Sequence, residues 1–313
     1  RYEILPPREK DGTLNSYAAN ISSLLSQTHI DAINIPEVRD EVARGERPIK
    51  NQVRAEPREF GRLLQDIVGI EAIVNRVVVH QELEKEMKWL EETNSKYEIE
   101  NLITVGGESR SIKYPGPSVN QALSAIHKNH NLNLLCGGIS IPSRDKESLR
   151  LIEKSENGSE FFTTQVLYDS SKIIKMISHY QKRCDEKNTF PRRLLLSFAP
   201  VSSEKNIKFL KWLGVEIPKE TENELTKDLN KMPEKSMEIA VQVLEKTLSH
   251  LNENNIIVPI GLNVEHIMSY NFQASIEMLQ ELSRIYREFC IKTNIFNMFI
   301  FTVATILNFL KNS

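Results

Sequence analysis

The chain has 313 residues, 40% of them hydrophobic and 26% charged, and its 40 Lys+Arg against 42 Asp+Glu leave a net charge of −2. A chain of this length can bury roughly three quarters of its unfolded surface, and its composition excludes collagenous and fully disordered classes. The near-neutral charge argues against a general nucleic-acid binder, which needs a basic excess to displace phosphate counterions.

Cys136, Cys184 and Cys290 lie far apart and form no CxxC pair. They suggest neither a disulfide framework nor a zinc site, and a reducing, cytoplasmic setting is expected. The seven histidines do not cluster at metal-ligand spacing, so no metal is expected. The chain opens at Arg1, inside an apolar stretch and without Met, so further residues are expected ahead of it.

Short β-rich runs alternate with helical ones. Strands are expected at Tyr2–Leu5, Ala32–Ile35, Arg76–His80, Leu102–Val105, Asn133–Ile139, Phe161–Val166, Leu194–Phe198 and Ile256–Leu262. Helices are expected over Arg58–Val68, whose Phe60, Leu63, Leu64, Ile67 and Val68 make one apolar stripe, and over Glu82–Glu92. Ser118–His127 follows, with Ser118 as N-cap, then Asp145–Lys154, Ser170–Lys187, Ser203–Leu213, Glu234–Asn252 and Asn271–Tyr286. Eight strand-then-helix units in this length predict an α/β fold, a single (β/α)8 TIM barrel over residues 1–290. The competing doubly wound sheet lacks its G-x-G-x-x-G sign, because Leu5-Pro6-Pro7 follows the first strand.

A barrel places its chemistry at the C-terminal ends of the strands. Glu3 lies between Tyr2 and Ile4 in the first strand, just before Leu5-Pro6-Pro7; turned into the barrel it becomes a desolvated acid, and turned outward a surface ion-pair partner. Gly106-Gly107-Glu108 opens a long loop after the fourth strand, either a plain turn or a place where a ligand meets the backbone and Glu108. Gln165, at the end of Phe161–Val166, offers an amide that either reads a heterocycle such as a pterin or satisfies strand-end backbone.

In this order the motifs resemble the methylenetetrahydrofolate reductase family. Tyr2-Glu3-Ile4-Leu5-Pro6-Pro7 is similar to its first strand, Val105-Gly106-Gly107-Glu108 to its fourth, Thr164-Gln165-Val166-Leu167-Tyr168-Asp169 to its sixth, Ala199-Pro200-Val201-Ser202 to its seventh and Gly261-Leu262-Asn263 to its eighth. The resemblance implies reduction of 5,10-methylenetetrahydrofolate to 5-methyltetrahydrofolate by NAD(P)H, either through bound FAD or directly. It makes Glu3 the acid that protonates N10 and Glu108 the second catalytic carboxylate, with Gln165, Tyr168 and Asn263 on the folate. It puts His80, Gly106, Glu147 and Lys154 where flavin-bound members hold the cofactor. The flavin pattern is half retained: Gly106 replaces an arginine, and Gly137 to Pro142 replaces a Tyr and His. Ile141-Pro142-Ser143-Arg144, Gln165 to Tyr168 and Leu195-Leu196-Ser197-Phe198 look closer to a divergent branch thought to work without flavin. Two alternatives stay open: a folate- or pterin-binding subunit without redox activity, and an unrelated barrel enzyme, since barrels host many chemistries.

Ile295–Leu310, within a tail of residues 291–313, is apolar on nearly every face. It is expected as an additional C-terminal helix packed on the barrel or joining copies in a homo-oligomer, and is short for a membrane span.

Overall fold

Eight parallel strands close a barrel in sequence order: β1 (Tyr2–Glu3), β2 (Ala32–Ile35), β3 (Glu71–Val77), β4 (Asn101–Val105), β5 (Leu135–Ser140), β6 (Phe161–Val166), β7 (Arg193–Phe198) and β8 (Ile260–Glu265). The computed structural model describes residues 1–26, 28–39, 45–109 and 111–293. The ring closes where β1 pairs with β8, Tyr2 opposite Val264 and Glu3 opposite Glu265. This is the expected (β/α)8 barrel. The strands carry near-continuous apolar runs because helices cover the sheet from outside.

The helices are α1 (Leu14–Leu25), α2 (Pro57–Val68), α3 (Leu83–Ser95), α4 (Val119–Lys128), α5 (Glu147–Glu156), α6 (Ser170–Glu186), α7 (Glu204–Trp212), α8 (Lys219–Thr226), α9 (Met232–Glu253) and α10 (Phe272–Thr293). Local chemistry sets several starts. Ser118 accepts from the Gln121 N–H while the Gln121 side chain accepts from the Ser118 N–H, a reciprocal capping box at α4. Asp169 and Ser203 cap α6 and α7 one way only, each side-chain oxygen accepting from the backbone N–H of Ser171 or Asn206. Gly137 in β5 is needed for packing, since a Cβ there would sit 2.4 Å from the Phe161 ring on the neighbouring strand.

Two strands shift from their expected places. The third runs over Glu71–Val77, and Val78–His80 forms a 3-10 turn. The eighth starts only at Ile260, because Pro259 just before it has no N–H to give a ladder, and it runs on to Glu265. α1 and α8 were not expected. The expected apolar segment Ile295–Leu310 lies outside the described residues. Among the described residues no helix is long and apolar enough to cross a membrane, and no group of three or more His, Cys, Asp or Glu could hold a metal.

Candidate active site at the barrel mouth

The shift of β8 decides the site, because it sets a second carboxyl in register with Glu3. Glu3 and Glu265 end adjacent strands, and both line two joined cavities at the C-terminal end of the barrel. Each is held by neighbours. The Asn34 amide donates to Glu3 Oε2 at 2.5 Å. Asn263 donates to Glu265 Oε1 at 3.0 Å and to Ser197 Oγ at 2.9 Å, while Arg1 Nε donates to Asn263 Oδ1 at 3.0 Å.

Burial raises the titration of both carboxyls above the ordinary 4.5, well above it for Glu265, where the nearby Glu3 charge adds to the effect. The buried Arg1 guanidinium opposes both shifts. Two like groups on adjacent strand ends titrate as a coupled pair. Below them His266 is buried and lowered to about 4 by burial, so it is neutral; its Nδ1 meets the Glu3 carbonyl at 3.1 Å and its ring stacks on Tyr2.

The pair makes a stability prediction with a definite sign. The folded pair keeps a proton that an unfolded carboxyl releases above about 4.5, so this pair costs the parent stability as pH rises from there through its raised titration. Glu265→Gln is therefore more stable than the parent at neutral pH, and the gain vanishes as pH falls towards 4.5. Urea denaturation across that window checks it. A gain that persists in acid contradicts the pairing.

The inner cavity, 140 Å³, is lined by Arg1, Glu3, Asn75, Thr163, Gln165 and Glu265 among others. Its wall carries unusual polar chemistry. Arg1 Nη1 and Nη2, Asn75 Oδ1 and Thr163 Oγ1 are all buried with no hydrogen-bond partner. Buried polar atoms are ordinarily satisfied, and leaving one unpaired costs about 1–3 kcal/mol. Unpaired donors and acceptors that converge on one cavity mark a candidate binding site for a polar group.

The outer cavity, 260 Å³, lies under the arm that joins β2 to α2. The arm is pinned back on the residues after β1: Ala55 N donates to the Pro7 carbonyl at 2.8 Å, Arg8 and Arg54 form a β-bridge, and Arg54 Nη1 donates to the Pro6 carbonyl at 2.7 Å. On the far side Trp212 Nε1 donates to the Gly45 carbonyl at 3.2 Å, and the Arg47 guanidinium lies over the Phe209 and Trp212 rings. Glu3, Glu265, Leu213 and Ile267 line both cavities.

Residues 135–283 match the methylenetetrahydrofolate reductase family model. The resemblance to the reductases drawn from the motifs is thereby borne out, over a stretch running from β5 into α10. A solved protein from Clostridium thermocellum that binds two copies of 5-methyl-5,6,7,8-tetrahydrofolic acid is 24% identical, with a TM-score of 0.74 over 91% of this chain and 94% of its own. That likeness establishes the fold. N-(5'-phosphoribosyl)anthranilate isomerase from Pyrococcus furiosus is 10% identical, covering 90% of this chain and 98% of its own at a TM-score of 0.46. No curated protein matches the chain.

The residues expected from the reductase resemblance fall into two groups. Glu3, Gln165 and Asn263 come together: Glu3 and Gln165 line the inner cavity and Asn263 is hydrogen-bonded to Glu265. Gln165 Nε2 donates to the Leu213 carbonyl at 3.1 Å, which fixes the amide at the cavity edge. The others stand elsewhere. Tyr168 is buried with its hydroxyl donating to the Ala199 carbonyl at 3.0 Å, and it lines a small neighbouring cavity that shares Gln165 and Val166 with the inner one. Glu108 lines neither mouth cavity; its N–H donates to the Tyr114 hydroxyl at 3.0 Å, and the Tyr114 ring meets exposed His80 edge-on at 5.4 Å. Gly106 lies in the loop before it, packed near Val119.

Glu147 and Lys154 sit on α5 behind β5. Glu147 accepts from the Ile141 N–H at 3.1 Å and stands 3.7 Å from Arg150. Lys154 Nζ donates to the Ile139 carbonyl at 2.5 Å, and burial lowers its titration. Both brace the turn after β5, and neither lines a mouth cavity. His80 stands exposed beside Tyr114, so among the described residues His80, Glu147 and Lys154 do not converge on one mouth cavity.

Sequence reading missed Glu265, Arg1, Asn75 and Thr163. For Glu265 a signal existed: it lies two residues past Asn263 on the same strand, so it faces the same side.

Proposed function

We propose that this protein reduces 5,10-methylenetetrahydrofolate to 5-methyltetrahydrofolate, with the hydride passed directly from NAD(P)H. The carrying observation is the inner cavity, where unpaired Arg1, Asn75 and Thr163 atoms face the same space as the Glu3–Glu265 pair and Gln165. The family match and the folate bound by the Clostridium thermocellum protein support the substrate class.

The chemistry follows from the pair holding one proton. Glu3, the acid that the family resemblance assigns, passes the pair's proton to N10 of the substrate's five-membered ring, the N10–CH2 bond breaks, and a cationic iminium forms at N5. The pair is then fully ionised, and its charge stabilises that cation inside a cavity where such interactions are strong. Hydride from the nicotinamide adds to the methylene carbon, giving the 5-methyl product and oxidised nicotinamide. One proton and one hydride are consumed, so the step balances. The second carboxylate is thus assigned to Glu265, in place of Glu108. Arg1 holds the pair's remaining charge when no cation is present.

Purified protein is expected to oxidise NADH or NADPH only when methylenetetrahydrofolate is added, and to show no visible flavin absorption. A flavin spectrum overturns direct transfer. Tight folate binding without turnover under either nicotinamide overturns the reductase reading in favour of a binding protein.

A further inference from the structure

The outer cavity collects five cationic side chains, Arg8, Arg39, Arg47, Lys50 and Arg54. Three are already engaged. Arg8 closes on Asp11 through two hydrogen bonds of 2.8 and 2.7 Å, Arg39 pairs with Glu37, and Arg47 lies over two aromatic rings and donates to the Arg39 carbonyl. Arg54 differs. Its hydrogen bond goes to the uncharged Pro6 carbonyl, its Nε is buried with no partner, and among the described residues it makes no ion pair. Arg8 and Arg47 add like charge around it, and the nearby acid Asp11 is taken by Arg8. Lys50, exposed at the same cavity, also has no ion pair among the described residues.

A cation taken partly out of water without a counter-charge is costly, and the cost is recovered when an anion arrives. The backbone around Arg54 is pinned to the residues after β1, so its guanidinium is pre-aimed. The cavity also has an apolar wall, including Leu5, Ile49, Trp212, Ile267 and Met268, and it opens into the inner cavity past Glu3 and Glu265. An occupant whose polar ring fills the inner cavity therefore runs an apolar midsection along that wall and ends in an anion at Arg54.

Resting on the folate reading above, we propose that Arg54, assisted by Lys50, binds the glutamyl carboxylates of the reduced folate and so sets the preference for the whole folate over its bare pterin ring. A bidentate guanidinium–carboxylate contact suits this task, since charge-assisted hydrogen bonds are about twice as strong as neutral ones.

Calorimetry with tetrahydrofolate and with 6-methyltetrahydropterin tests it, using the full chain and its Arg54→Gln and Lys50→Gln variants. Gln keeps a donor for the Pro6 carbonyl, and Lys50 makes no contact on which folding depends. The parent is expected to bind tetrahydrofolate at least tenfold tighter than the pterin. Arg54→Gln is expected to weaken tetrahydrofolate about tenfold and leave the pterin unchanged, with a smaller selective loss for Lys50→Gln. Equal weakening of both ligands marks Arg54 as structural and overturns the proposal, as does no weakening of either. Selective weakening of NADH also overturns it, by assigning the cation to a dinucleotide pyrophosphate. If the parent binds the pterin but gains nothing from the tail, the proposal fails and the folate reading stands. If it binds neither compound, the folate reading itself fails and takes the proposal with it.

Discussion

Glu3→Gln should lower NAD(P)H turnover with methylenetetrahydrofolate by about a hundredfold or more, the range in which a positioned general acid acts, while folate affinity changes little. Glutamine keeps the size of the side chain and still accepts from Asn34, which stands 2.5 Å from Glu3, but it has no acidic proton for N10. The loss should therefore appear in kcat. Steady-state rates with a parallel calorimetric affinity separate the two effects. A variant as active as the parent removes Glu3 from the chemistry. A variant equally crippled in binding makes Glu3 a substrate anchor.

Arg76→Met should destabilise the fold by about 3–5 kcal/mol, the usual result of stranding one partner of a buried ion pair. Arg76 donates to both oxygens of fully buried Glu86, at 2.7 and 2.8 Å, reaches Glu37 at 3.1 Å and lies 4.3 Å over the Trp89 ring. Without the guanidinium, the Glu86 carboxylate loses both of those partners. Removing the stranded carboxylate as well should relieve this, so Arg76→Met with Glu86→Leu should recover most of the loss. Urea denaturation of the single and double variants reads the loss and its recovery. A single variant within about 1 kcal/mol of the parent would show that the pair is solvated. The same arginine steadies the site, because Glu37, which also accepts from the Val77 N–H at 2.8 Å, lines the outer cavity.

Much of this was legible in the sequence. Ala32–Ile35 and Phe161–Val166 have their expected bounds, and the alternation of strands and helices is enough to predict a barrel. α1 was readable too: Leu14, Tyr17, Ala18, Ile21 and Leu25 keep helical spacing behind the Thr13 cap. β8 was misplaced because Ile256-Ile257-Val258 is the more apolar run, whereas pairing depends on where backbone N–H groups are available, and Pro259 removes one. Glu3 could be found by alternation. Arg1, Asn75, Thr163 and Arg54 could not, because an unpaired polar atom is defined by what fails to approach it in three dimensions. Glu147 and Lys154 show the converse, since residues at the positions of a motif can serve as braces for a turn.

The pinning of the β2–α2 arm to the residues after β1 has a mechanical consequence. β1 has only two residues, fewer than any other strand of the barrel, and one of them is Glu3. Pro6 and Pro7 accept hydrogen bonds from Arg54 and Ala55, so the arm that walls the outer cavity is tied directly to the short strand that carries Glu3. On the proposed reading, a substitution that loosens this arm also disturbs Glu3.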